Sequence, residues 1–503
     1  MTELAGGLVQ SVDWLAVAPP TILAVVALVV LVADLFVDEA REPLLGWASV
    51  GGMVLAGLAL LPLLGGDRST FCLTTGAHNC SYVADHFTLA IQLLVIGGAL
   101  LTALLSLHNQ DRLPQGEFWF LLLSSAAGAA LLPASRDLAT LVVALEVVSL
   151  PAFALVGLRR GDRLSSEAAL KFFLSSVTAT AVMLLGVSFV YAATGTLHLT
   201  ALADGLTHAP AQLATLARTG AVLTLVGFAF KLAVAPFHFW VPDTYTGAPL
   251  PVAAYLSVVG KAAGFSGLIL VTVVGFRPYG DVWGPALAVL AALTMSVGNL
   301  AALRQRPEQA RSAVRLLAWS SIGQAGYLLV PLAAAGYVTD QRHQIGATVS
   351  YALMYAVVNL GAFGVAALVL RSNALNRIAD YRGLYASRPL AALALAFFLL
   401  CLAGLPPGVI GLFAKVVVFS SAVDAGLGWL AVIMAVNVVV ALYYYLRWAA
   451  LLFMRPEPAA GQAAPVVRAP ASLTAAIAAA AVVGVALSGA PQLVLRFASG
   501  SLL

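Results

Sequence analysis

Four lysines occur in the 503-residue sequence, Lys171, Lys231, Lys261 and Lys415, each inside an apolar run, while every other one of the 26 cationic side chains is arginine. A buried ammonium can give up its proton near neutrality, whereas a guanidinium cannot. The sequence therefore puts its titratable cation inside the runs and its permanent one outside them. A lysine in hydrocarbon costs on the order of 3 kcal/mol or more, and such residues mark proton or ion paths by default. Lys231 and Lys261 lie deep in their runs, and Lys415 follows the pair Pro406 and Pro407. Lys171 comes soon after "RRGDRLSSEAAL", so its stem could also snorkel to the surface, and both readings stay open there.

Glu146, in "LATLVVALEVVSLPAFALVG", is the one acid plainly within a run. It needs a proton or a cationic partner, and a lysine on a neighbouring helix would change its hold on its own proton as that pair formed and broke. His238 follows Lys231 in "KLAVAPFHFW". A neutral imidazole there can relay protons or simply be hydrogen-bonded in place. Pro236 removes a backbone donor and frees the Leu232 carbonyl beside Lys231, groups that in hydrocarbon call for water or polar side chains. No His, Cys or acid spacing fits a metal site, and no nucleotide-binding or catalytic-triad pattern has the right context.

These side chains need a scaffold, and composition says which kind. Hydrophobic residues make up 61% of the chain, charged ones 10%, and the mean hydropathy is +0.97. A soluble surface needs more charge than that, so the chain is a polytopic membrane protein embedded in a lipid bilayer. The formal charge of +4 is small and dispersed, without interleaved aromatic and basic residues, which excludes a nucleic-acid surface. Apolar runs long enough to span a bilayer number about fourteen, near 19–37, 44–64, 86–107, 117–135, 137–157, 167–193, 212–240, 249–274, 283–303, 314–335, 346–370, 390–420, 425–452 and 471–491. The seventh and twelfth are overlong and broken by proline, at Pro236 and at Pro406 and Pro407. Interrupted spans at matching places in two halves point to inverted repeats. The expected fold is thus all-α, with helices 4–8 and 9–13 as two inverted five-helix repeats. The units are 1–116 (three leading helices and a cysteine loop), 117–275, 283–452, and 453–503 (a linker and the last helix).

Arginine sets the orientation. Loops after odd-numbered spans carry most of them, Arg41, Arg112, Arg159, Arg304, Arg311, Arg371 and Arg455 among others, so these loops face the cytoplasm and both termini lie outside. The N-terminus has no basic stretch before its first apolar run, which predicts that the first helix is retained. The loop "GDRSTFCLTTGAHNCSYVADH" then lies outside, where Cys72 and Cys80 fit either a bridge or two separate thiols.

The motifs resemble the antiporter-like membrane subunits of bacterial respiratory complex I. "ALEVVSLPAFALVG", "EAALKFFLSS", "KLAVAPFHFWVPDTYTGAPLPVAAYLSVVGKAAGF", "RLLAWSSIGQAGYLL", "YALMYAVVNLGAFG" and "LLCLAGLPPGVIGLFAKVVVF" resemble its helices 5, 6, 7–8, 10, 11 and 12 in order. The resemblance implies that Glu146 pairs with Lys231, that Lys261 is the central lysine of helix 8, and that Lys415 is the lysine through which protons leave. Lys171 and His238 are implied as helix-6 and axis residues. Lysine at position 415, with a chain ending soon after helix 14, resembles one of the three subunit types over the two that carry glutamate there or a long lateral helix. Gln324 stands where these subunits commonly have histidine, and an amide holds water without taking up a proton. The resemblance implies other membrane-arm subunits as partners, a bacterial plasma-membrane location, and no cofactor in this chain, with NADH, FMN, Fe–S clusters and quinone elsewhere in the complex. A subunit of a cation/proton antiporter or of a membrane-bound hydrogenase, and a non-transporting membrane scaffold, are the alternatives.

Overall fold

The computed structural model describes residues 12–73, 79–108, 113–455, 468–499 and 502. The ends of the chain, Arg112 and most of the linker after residue 455 lie outside them. Helices α1 (Ala18–Asp34) and α2 (Pro43–Leu58) precede a hairpin of β1 (Arg68–Cys72) and β2 (Cys80–Ala84). Then come α3 (His86–Ser106), α4 (Gln115–Leu131), α5 (Leu138–Val156), α6 (Arg163–Thr194), the short α7 (Leu199–Thr207), α8 (Ala214–Lys231) and α9 (Trp240–Gly247). One helix follows whose α-helical parts, α10 (Leu250–Tyr255) and α11 (Lys261–Ile269), are separated by a π-helical turn at Leu256–Gly260. The rest comprises α12 (Gly280–Leu303), α13 (Ser312–Ala335), α14 (Arg342–Leu370), α15 (Leu384–Ser387), α16 (Pro389–Ala403), α17 (Val409–Asp424), α18 (Gly428–Phe453), α19 (Ala471–Gly489) and α20 (Gln492–Ser499).

Among the described residues, twelve helical stretches are long and apolar enough to cross a membrane, and α1 and α16 are apolar but shorter. Capping residues fix several starts. Asp85, Asp137 and Asp162 accept from the backbone N–H groups of Thr88, Thr140 and Leu164, and prolines open α2 and α16. Burial sorts the bundle into core and periphery. In Leu250–Gly275 and in α13, 94% of the most apolar window is buried, against 33% in α6. The stretch that carries Lys261 and the helix that carries Gln324 are thus the central pair, and α6 leaves most of its surface uncovered by the rest of the chain.

The expectation of a purely helical chain is corrected at the cysteine loop. β1 and β2 pair antiparallel, Cys72 opposite Cys80, and a disulfide joins them. The hairpin packs on helix ends: Tyr82 donates to the Ala16 carbonyl at 3.0 Å, and Arg136 forms an ion pair with Asp85. A cross-linked hairpin pairs its backbone groups locally, which satisfies those that packing against the helix ends shields from water.

The arginines sort by end. Arg371 donates to His108 O, Arg311 to Thr246 O, Arg382 to Arg455 O, and Arg160 lies 3.7 Å from Glu117, so loops after odd-numbered spans meet one another. Arg68 with Asp13 and Arg136 with Asp85 hold the opposite end.

Candidate functional site: a buried lysine array

Both expected breaks are present. α8 ends at Lys231, and the chain runs non-helically to α9, with Ala233 at φ 58°, a left-handed conformation that a residue with a Cβ rarely adopts. Protein groups meet backbone atoms of this break. The Trp240 indole donates to Phe230 O at 3.1 Å, and Ala235 N donates to the Thr294 hydroxyl at 3.0 Å. In the second break α16 stops at Gly404, whose φ of +83° favours glycine, and where a Cβ would also lie 3.0 Å from Lys415 Cδ.

Lys231, Lys261 and Lys415 are all buried, 5%, 2% and 6% exposed. Each ammonium is held by neutral oxygens. Lys231 donates to the Ser149 hydroxyl at 2.8 Å, and Lys261 donates to both oxygens of Ser321, the hydroxyl at 3.1 Å. Lys415 donates to Leu402 O and Ala403 O, both at 2.8 Å, and its Nζ lies 5.3 Å from the centre of the Tyr327 ring. Those two carbonyls end α16, where the helix has no donors left to satisfy them and its dipole is negative, so the half-helix is capped by the ammonium of the next half.

Gln324 links the second and third lysines. Its Nε2 donates to Tyr445 OH at 3.1 Å and to Leu402 O at 3.4 Å, while Tyr351 OH donates to its Oε1 at 2.5 Å. Tyr445 also shares a 2.5 Å hydrogen bond with Ser320, the neighbour of Ser321. A polar line thus runs from the Lys261 side of α13, through Tyr445 and Gln324, to the carbonyl that Lys415 holds. Asn299 extends it sideways, donating to Tyr327 OH at 3.2 Å and to Asn437 Oδ1 at 3.1 Å.

Three of the candidate residues keep other neighbours. Glu146 makes no ion pair with Lys231. It accepts from Thr180 at 2.7 Å, and Ser149, one turn further along α5, takes the lysine's hydrogen bond. Lys171 does not join the buried set: about half exposed, it sits 2.8 Å from both Glu167 and Asp243. Eight residues into α6 its stem reaches those carboxylates at the Arg-rich end. His238 hydrogen-bonds neither lysine; its ring stacks obliquely 5.6 Å from that of Trp319, and its Nδ1 is buried without a partner. Between Lys231 and Lys261 the link is packing alone, where Gly264, one turn past Lys261, lies against the Lys231 stem. Pro236 itself is exposed, at the rim of the break.

Sequence reasoning missed Ser149, Thr180, Ser320, Ser321, Tyr351 and Tyr445. A signal existed for some of them. Ser149 lies three residues from Glu146, and Ser320, Gln324 and Tyr327 share one helix face at spacings of four and three.

Two interrupted spans and a buried lysine array inside a helical membrane bundle define an antiporter-like membrane protein. Residues 135–441 match the family described as NADH:quinone oxidoreductase/Mrp antiporter, TM. The chain is 72% identical to the NADH-quinone oxidoreductase subunit N 2 of Streptomyces griseus subsp. griseus, over 99% of this chain and 95% of that one. It matches a chain of the respiratory complex I from Thermus thermophilus with bound aureothin at TM-score 0.76 and 35% identity, covering 96% of this chain and 100% of that one. A chain of the Mrp complex from Dietzia sp. DQ12-45-1b, at TM-score 0.80 and 22% identity over 96% of both chains, shares the fold. The chain belongs to the subunit N family of NADH-quinone oxidoreductase.

Proposed function

We propose that this chain is a proton-translocating membrane-arm subunit of NADH-quinone oxidoreductase, working beside other membrane subunits and without a redox centre of its own. The observation that carries the reading is the array itself. Three buried ammonium groups are held only by hydroxyl and carbonyl oxygens, so each binding site stays hydrogen-bonded whether or not its proton is present. A charge change arriving at Glu146 acts on Lys231 across Ser149 and shifts its proton affinity. The proton passes toward Lys261 by way of water at the first break, with His238 at its edge. Beyond Lys261 the hydroxyls of Tyr445 and Tyr351 and the amide of Gln324 order the path to Lys415, and the proton leaves on the outer side. Gln324 orients this relay and does not itself titrate.

In the same reading the bundle has fourteen spans, with helices 4–8 and 9–13 as inverted repeats; Lys231 and Lys415 at the two breaks support this. The Arg-rich end faces the cytoplasm of a bacterial cell, and both termini lie outside. Lys171 serves as an interfacial anchor at the cytoplasmic end. The test is NADH-driven proton uptake by inverted membrane vesicles carrying Lys261→Ala. Uptake should fall while the assembled complex stays at its normal level; undiminished uptake overturns the role given to Lys261.

A further inference from the structure

A cavity of about 330 Å³ opens at the Arg-rich end, between the two halves of the chain. That is roughly ten water volumes at ~30 Å³ each. Its charged lining is Arg159 and Asp162 from the turn between α5 and α6, Arg311 just before α13, and Arg371 just after α14. Three guanidinium groups thus face one carboxylate among the described residues. Asp162 is engaged on its own side, accepting from Leu164 N at 2.9 Å and lying 3.6 Å from Arg159. Among the described residues Arg311 and Arg371 reach carbonyls, Thr246 O at 2.6 Å and His108 O at 2.8 Å, and the Arg371 Nε is buried with no acceptor among them.

A carbonyl accepts a hydrogen bond but leaves the guanidinium charge unbalanced, and the planar fork of arginine matches the paired oxygens of a phosphate. The remaining wall mixes polar groups, His108, Tyr245, Thr246 and Asn376, with apolar ones, among them Leu105, Leu370 and Leu473 from three different helices. Basic pockets between membrane helices at the cytoplasmic face suit anionic head groups. We propose that this cavity binds a phosphoryl anion between Arg311 and Arg371, which ties the start of α13 to the end of α14. A phospholipid head group and free phosphate share this chemistry.

The full-length chain, purified in a phosphorus-free detergent and delipidated, is titrated with inorganic phosphate and with phosphatidylglycerol, and retained phosphorus is read by ³¹P NMR. Saturable binding in either arm supports the site. Binding of phosphatidylglycerol alone assigns the lipid, and equal competition by inorganic phosphate assigns the free anion. Arg311→Gln with Arg371→Gln should weaken binding by about tenfold or more, and the paired Lys substitutions should weaken it less, because they keep the charge and lose only the fork. If the Gln pair does not accumulate, the wild-type chain decides alone: no saturable binding of either probe overturns the proposal, as does unchanged affinity in a folded Gln pair.

Discussion

At the scale of single residues, hydrogen-bond partners decide what a buried lysine can do. The Ser149 hydroxyl accepts from Lys231 and itself donates to Leu145 O at 2.6 Å, so Ser149→Ala removes one charge-assisted bond and leaves α5 intact. Such a bond contributes about 1.5–3 kcal/mol. NADH-driven proton uptake should fall about tenfold in Ser149→Ala and recover in Ser149→Thr, with the complex still assembled. Gln324 makes an opposite kind of case. Gln324→Leu strands the Tyr351 hydroxyl and should cost about 1–3 kcal/mol for it, while Tyr445 keeps Ser320 and Gln324→His keeps a partner for both. Uptake assays on both variants check this, and normal pumping in Gln324→Leu would remove Gln324 from the path.

At the scale of elements, close packing holds the lysines in register. A Cβ at Gly264 would lie 2.9 Å from Leu232 Cδ2 and 3.2 Å from Lys231 Cγ, at the contact between α11 and the first break. Gly264→Ala should therefore cost about 1–3 kcal/mol by overpacking, read as a lower unfolding temperature, and should lower the protons moved per NADH oxidised. The β1–β2 hairpin is cross-linked over a sequence separation of 8. Replacing Cys72 and Cys80 by serine should loosen it by about 2–3 kcal/mol of loop-closure entropy, seen as faster protease cleavage of the hairpin, with proton uptake unaffected.

At the scale of the whole molecule, the two ends differ in charge, and the difference predicts orientation. Arg304 and Asp281 are exposed at opposite ends of α12. In membrane vesicles, Arg304→Cys should react with an impermeant thiol reagent only when the vesicles are inside-out, and Asp281→Cys only when they are right-side-out; the reverse pattern would invert the assigned topology. Native thiols do not interfere, since Cys401 is buried and the other two cysteines are bridged.

Much of this architecture is legible in one dimension because hydrocarbon imposes it locally. Apolar runs, prolines at Pro236 and Pro407 and the restriction of lysine to the runs follow from the cost of exposing backbone or charge to lipid, and that cost acts on each segment by itself. Partner choice does not act that way. Lys231 finds Ser149 and not Glu146, Lys261 finds Ser321 across the two halves, and Lys171 reaches Asp243 besides Glu167 of its own helix, because helices far apart in sequence present the Ser149, Ser321 and Asp243 oxygens at the right height. The sequence by itself determined a membrane bundle with broken helices and buried titratable cations. Only the tertiary structure decided which oxygens hold them, since hydrogen bonds act over about 3 Å and depend on how helices pack.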